Sequence, residues 1–321
     1  MMKKRRLSIS QSIVNEIRDN LKKYDNNLTR QQYLKNFKRF VSFCRDTYDC
    51  KTLKECVTYI QDYSDSLQSK GLTASTIHTY LAAVCVLTNV NMSEIKKPIR
   101  HTAEYSRGRK KDSVIKSRDL NDLRWAHLVE FQKKVGLRRA ELMKLTGKDF
   151  LKDESDNCCI RVKGKGGKLQ LQLIADEDVE FIKSYFKGKG PNEKIFEKEE
   201  FNNNLNLHYL RAECAKEFYI KTVKKLREDK DYEEILIKQI KRRWNKYNLK
   251  PDGTPKLFDY KKIDGYYYLR GKNRQAVKEM GGCVKYNKLA VLATSIFKLS
   301  HWRCDVTINS YLSINNGGIL I

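Results

Sequence analysis

The chain has no apolar run approaching the length of a bilayer span, and its opening M-M-K-K-R-R is followed by polar residues instead of the hydrophobic core of a secretion signal. Both absences argue against a membrane protein or an exported one. Acidic residues are also scarce: 39 Asp and Glu face 65 Lys and Arg, a formal net charge of +26 spread along the whole chain. A polyanion other than membrane is the expected partner. The nine cysteines, at 44, 50, 56, 85, 158, 159, 214, 283 and 304, are odd in number and never form C-x-x-C or a Cys/His cluster at zinc spacing. Neither a disulfide framework nor a structural metal is indicated, so a reducing cytoplasm is expected, with most thiols acting as small core hydrophobes. No repeat or low-complexity tract interrupts the 321 residues, which by size suffice for two domains.

What fills the first hundred residues is one theme, apolar side chains three or four apart with polar ones between. Ile13, Ile17 and Leu21 mark a first helix; Tyr33, Phe37, Phe40, Val41 and Cys44 line a second after Thr29. A third carries Leu53, Cys56, Val57, Ile60 and Leu67 behind a Thr52…Glu55 capping box, and a fourth, opened by Ser75 or Thr76, carries Ile77, Tyr80, Leu81, Val84 and Cys85. The spacing predicts a small helical bundle over 1–98 whose polar faces hold Lys and Arg. From Pro98 the pattern gives way to I-R-H-T-A-E-Y-S-R-G-R-K-K-D-S, with nothing to bury, so a basic linker is placed at 99–112 and a second domain at 113–321.

The second domain begins helical, with Leu123, Leu128, Val129, Phe131 and Val135 facing inward and Gly136 as C-cap, and a further helix starts near Arg138. Over 158–174 the period changes to two: Cys158, Ile160, Val162, then Leu169, Leu171, Leu173, with G-K-G-G between, which predicts a β-hairpin with Lys165 near its tip. A helix with Leu207, Leu210, Cys214 and Phe218 inward follows. Residues 220–285 are less regular: a charged helix, a P-D-G-T-P turn and Y-Y-Y-L-R, which reads as a short, buried aromatic strand. A last helix, near Tyr286 to Phe297, buries Leu289, Leu292 and Ile296. The expected class is mainly α with a small β-hairpin or sheet.

Cleaving a DNA phosphodiester without a metal requires a nucleophile, cations on the non-bridging oxygens and an acid for the departing 5′ oxygen. Separate elements offer each. Arg138 stands at a helix start, His208 and Arg211 are three apart on one helix face, Lys165 sits between glycines, and S-H-W-R-C-D-V-T-I-N-S-Y-L sets His301 and Tyr311 ten positions apart. Tyr266, Tyr267 and Tyr268 lack a histidine at a helpful spacing, and Trp302 suits either a lid over the site or helix packing.

Taken in chain order, G-L-R-x-x-E-L, G-K-G in a hairpin, H-x-L-R, L-x-H and a tyrosine ten residues later resemble the catalytic series of the tyrosine recombinase (phage-type integrase) family. The likeness spans nearly the whole chain, the helical first domain being similar to that family's core-binding domain. H-x-L-R-A-E-x-A and the late x-H-x-R-x-D-V-x-x-N-x-Y are similar to integrases of Gram-positive mobile elements. Two features depart from the family pattern. Ser300 replaces the usual glycine before the second histidine, which a serine can do if φ is negative, and ninety residues separate Arg211 from His301, so 220–285 is an insertion.

The resemblance implies a site-specific recombinase that needs neither metal, cofactor nor ATP. Tyr311 would attack the scissile phosphate to form a 3′-phosphotyrosyl bond, His208 would act as general base, Arg138, Arg211 and His301 would hold the non-bridging oxygens, and Lys165 would protonate the leaving oxygen, with Lys163 and Lys168 as alternatives on the same hairpin. Implied partners are double-stranded DNA at specific attachment sites, clamped between the two domains, and three further copies in a tetramer that exchanges strands through a Holliday junction, with an accessory directionality factor. The tail 312–321 would dock on a neighbouring subunit, loosely enough to let Tyr311 enter and leave the pocket. The rival readings are a type IB topoisomerase and a DNA-binding protein that lost the reaction.

Overall fold

This computed structural model describes residues 13, 15, 17–22, 27–100, 122–164, 169–279 and 281–312. The linker beyond Arg100, Lys165, Lys168 and the tail after Leu312 lie outside the described residues. The chain forms two compact units, Met1–Tyr105 and Ser106–Ile321. Among the described residues no helix is long and apolar enough to cross a membrane.

The first unit is helical: α1 (Arg18–Lys22), α2 (Asn27–Tyr48), α3 (Leu53–Thr58), α4 (Ile60–Ser69) and α5 (Ala74–Thr88). Its core is the stripe read from the sequence, with Phe37, Phe40, Cys44, Cys56 and Leu81 fully buried beside Ile13 and Ile17. Truncating a phenylalanine there to alanine costs about 3–5 kcal/mol. Two details differ from expectation. The third helix is two, because the chain bends at Tyr59 (φ −102°, ψ 19°), and α5 is capped by Thr73, whose hydroxyl accepts from the Thr76 N–H. Thr73 wins because the cap must precede the first helical residue in extended geometry, φ −64° and ψ 148°.

In the second unit α6 (Ala126–Val135) ends at Gly136, whose φ of 70° is left-handed; a Cβ there would lie 3.1 Å from the Cys214 Sγ. Leu123 does not join the core. It lies on a 3-10 turn before α6, off the helical register, and is 87 % exposed. α7 (Arg139–Leu142) leads into a three-stranded antiparallel sheet of β1 (Phe150–Lys152), β2 (Cys158–Lys163) and β3 (Leu169–Leu173), ordered β1-β2-β3. After α8 (Val179–Ser184) come the long α9 (Leu207–Glu228) and α10 (Tyr232–Tyr247). A two-stranded ribbon of β4 (Tyr266–Tyr268) and β5 (Lys285–Asn287) brackets α11 (Gly271–Glu279), and α12 (Lys288–Phe297), α13 (Cys304–Thr307) and a π-helical turn (Ile308–Leu312) complete the unit.

The hairpin's two apolar runs point to opposite faces. Ile160 pairs with Gln172 and Val162 with Gln170, so these four share one face while Leu171 opposes Arg161 on the other. Both faces are covered, hence Gln170 and Gln172 are buried, whereas Leu169, near the hairpin's end, is 55 % exposed. The ribbon differs too: Tyr266 and Tyr268 are exposed rather than buried, because only the Tyr267 face packs inward. Trp302 meets the insertion, its ring edge-on to Trp244 at 5.4 Å.

Candidate active site

The abrupt stop at Gly136 brings Arg138 to the N-cap of α7, three residues before Glu141. The Glu141 carboxylate accepts from the Arg138 backbone N–H at 2.8 Å and pairs with its guanidinium. One turn beyond the start of α9, Arg211 is fully buried and fixed by two carbonyls: its guanidinium donates to Gly136 O and, at 2.6 Å, to Leu299 O. Glu141 also lies 3.7 Å from Arg211, so one carboxylate is shared by two guanidiniums and the pair retains positive charge. Burial pushes the Arg211 pKa down, opposed by Tyr311 and Glu141, and guanidinium remains charged all the same.

His208 precedes Arg211 by one turn of α9 and is exposed, its ring centroid 5.3 Å from that of Tyr311. The Arg211 guanidinium carbon is 5.9 Å from the Tyr311 ring, and the His301 ring is 6.2 Å from it. Tyr311 is only 5 % exposed and packs with Ala212, Ala215 and Leu299, while Leu312 is fully buried. The tyrosine is therefore held in the structure rather than loosely placed, since the π-helical turn seats Ile308, Tyr311 and Leu312 together against the body of the unit.

His301 is strongly perturbed as well. Burial, reinforced by Arg211, Arg138 and Arg303, pushes its pKa down to about 3. Its Nδ1 accepts from the Arg303 backbone N–H at 3.3 Å, which leaves the proton of the neutral ring on Nε2. That Nε2 and the Nε of Arg211 are both buried without a hydrogen-bond partner. A buried unpaired donor costs about 1–3 kcal/mol, and two such donors beside a cationic pair form a cradle for an oxyanion.

Ser300 departs from the expected negative φ. Its φ is 49°, the left-handed region, so the turn has the glycine-like shape with a serine in it. The cost is offset by a buried hydrogen bond from Ser300 Oγ to Gln172 Oε1 at 3.0 Å, and Gln172 donates in turn to the Val135 carbonyl. Gln172 and Glu141 thus support the site, though neither is singled out by the sequence. Glu141 had a signal, the acid three residues after a helix-start arginine; Gln172 had none, standing as a polar residue between the hairpin leucines. Of the hairpin lysines, Lys163 is exposed at the end of β2 and lines a cleft with Glu141, Lys144, Lys148 and Arg161. Arg138, His208, Arg211, His301 and Tyr311 converge; Lys165 is outside the described residues.

No family profile and no curated protein matches the chain. Among solved structures, the chain is similar to XerH site-specific recombinase bound to palindromic difH substrate in a post-cleavage complex, at 14 % identity and a TM-score of 0.47, over 66 % of this chain and 85 % of that one. XerA recombinase follows at 16 % identity, TM-score 0.24, over 65 % and 85 %. An integrase from mycobacterium phage Brujita is 15 % identical, TM-score 0.23, over 66 % and 79 %. Superpositions this loose leave the chemistry to be argued from the side chains themselves.

Proposed function

We propose that the second unit cuts and rejoins DNA strands through Tyr311, as a tyrosine site-specific recombinase. The observation that carries this reading is the pair of orphaned donors, Arg211 Nε and His301 Nε2, buried beside a phenol and two guanidiniums. In the proposed reaction the Tyr311 oxygen attacks the scissile phosphorus and loses its proton to His208. The bond to the 5′ oxygen breaks and a 3′-phosphotyrosyl ester forms. Arg138 and Arg211 hold the non-bridging oxygens, and His301 donates from Nε2 without needing to be charged. Lys165 protonates the departing 5′ oxygen, with Lys163 and Lys168 as its alternatives. Attack by the 5′ hydroxyl of another strand reverses the chemistry, and because the ester conserves the bond's energy, no ATP is consumed.

Further parts of the proposal are assembly of four copies through a Holliday junction at specific attachment sites, a directionality factor, origin in a mobile element, and additional DNA contacts from the helical unit. The linker 99–112 separates the two domains in this scheme. The test is a nicked suicide duplex drawn from the DNA flanking this reading frame. A covalent protein–DNA adduct is expected with the native chain and none with Tyr311→Phe; an adduct of undiminished yield in that variant overturns the assignment. Joining two sites in one assay, against relaxing a supercoiled plasmid in another, separates recombinase from topoisomerase.

A further inference from the structure

The insertion contains a surface that the chemistry above does not use. β4 and β5 pair as Tyr266↔Asn287, Tyr267↔Tyr286 and Tyr268↔Lys285. Alternation puts Tyr267 and the fully buried Tyr286 on the inner face and leaves Tyr266, Tyr268 and Lys285 facing out, the two tyrosines 46 % and 60 % exposed. The Lys285 ammonium stands 4.0 Å from the centre of the Tyr266 ring, which pre-orders both side chains. The ladder is prolonged by Leu269 N donating to Val284 O at 2.9 Å, and α11 spans the two strands. On α11, Val277 is buried while Arg270, just before the helix, Arg274 and Lys278 are exposed at four-residue spacing, a basic stripe on the element that connects the two strands. Between residues 249 and 288 ten Lys and Arg oppose four Asp and Glu.

This module is joined to the candidate site. Asn273 of α11 donates to Asn309 Oδ1 at 2.7 Å, two residues before Tyr311, and the inner-face Tyr267 meets Cys304, three residues after His301. We infer that the outward face of the β4–β5 ribbon, with the Arg270–Arg274–Lys278 stripe, is a second duplex-DNA contact that grips the backbone flanking the phosphate attacked by Tyr311. The inference rests on the recombinase reading. Its physical basis is complementarity: a two-stranded ribbon fits the major groove, cations meet phosphates, and exposed aromatic rings supply apolar contact to sugars and base edges. A second copy of the chain is the poorer occupant, because the same basic stripe would face itself.

The experiment is a salt titration of full-length protein on a labelled random-sequence duplex. Arg270→Ala/Arg274→Ala/Lys278→Ala is expected to lower the magnitude of the log–log slope by about 0.9 for each phosphate that is no longer neutralised, and Tyr266→Ala/Tyr268→Ala to weaken binding about tenfold with little change in slope. The control Lys183→Ala/Lys187→Ala/Lys198→Ala removes the same charge from other exposed positions and should move the slope far less. Equal loss in the control, or native binding by both insertion variants, overturns the surface while leaving the Tyr311 adduct assay untouched. A native chain that binds no duplex at all overturns the surface and the recombinase reading together. If the tyrosine variant changes sedimentation without DNA while binding DNA normally, the face joins copies and the DNA contact is refuted.

Discussion

Among the described residues of the second unit two arginines are buried, and their surroundings differ in kind. Arg243 of α10, 4 % exposed, donates to Asp153 at 2.7 Å, to the Leu171 carbonyl at 2.6 Å and to the Cys159 sulfur at 3.1 Å, and none of its nitrogens is both buried and unpartnered. Arg211 is buried completely, shares a carboxylate with Arg138 at 3.7 Å and keeps an unused Nε beside a tyrosine. The first is a finished ion pair that pins the inserted helix to the sheet. The second is an unfinished one, and a buried donor left unfinished is stable only because the rest of the fold holds it there. Burial alone does not separate the two arginines; the unmet hydrogen-bonding demand of Arg211 does.

The largest effect should come from breaking the finished pair. Arg243→Met leaves Asp153 buried without its cation, which typically costs about 3–5 kcal/mol. Urea unfolding should show that loss, while adduct formation per folded molecule stays near native. Restoring balance with Asp153→Asn should recover part of the stability. If Arg243→Met instead abolishes the adduct in folded protein, the contrast between the two arginines fails.

Next in size is Arg211→Lys. Lysine keeps the charge but cannot span the Gly136 and Leu299 carbonyls and also present a donor toward Tyr311, so the rate of adduct formation should fall about 10²–10³-fold, the usual effect of removing one transition-state donor. A tenfold loss or less would mean that charge alone suffices there.

His301 gives a smaller, pH-dependent effect. The folded site refuses a proton down to about pH 3, whereas the unfolded ring takes one up below its ordinary value of about 6.5. Stability is therefore complete above that value and is lost as the pH falls toward the folded value, by at most about 1.4 kcal/mol per pH unit from this one group. Between about pH 7 and about pH 5 the urea midpoint of the native chain should fall relative to that of His301→Gln, which has no group there to titrate. An unchanged gap between them would mean that His301 is not the group that titrates.

The helices were legible because they follow from spacing, α2 and α5 from stripes of period 3.6; that Arg138, His208, Arg211, His301 and Tyr311 would meet was legible only through the resemblance of their chain order to a known catalytic series, spacing by itself setting only His208 and Arg211 on one helix face. What was illegible depended on which face a neighbour would cover. Leu123 looks like a core residue but lies on a turn off the helical register, Leu169 keeps its strand pairing with Lys163 but sits at the uncovered end of the hairpin, and Tyr266 and Tyr268 look like a buried strand but belong to a ribbon packed on one side. Gln172 looks like a surface residue, yet both faces of its sheet are covered, and its amide becomes the strut of the His301 turn.

That strut gives the finest test. Serine at φ 49° bears a cost of about 1–2 kcal/mol, which its hydroxyl bond to Gln172 roughly offsets. Ser300→Ala keeps the backbone cost and loses the bond; Ser300→Gly loses the bond and sheds the cost. Glycine should therefore be the more stable of the two by about 1 kcal/mol, the reverse of the order found where φ is negative, at which alanine wins by about 0.4–1 kcal/mol. Thermal melts of the two variants decide it by sign alone. An alanine variant more stable than the glycine one would mean that this turn does not hold the left-handed geometry that aims His301 Nε2 into the cradle.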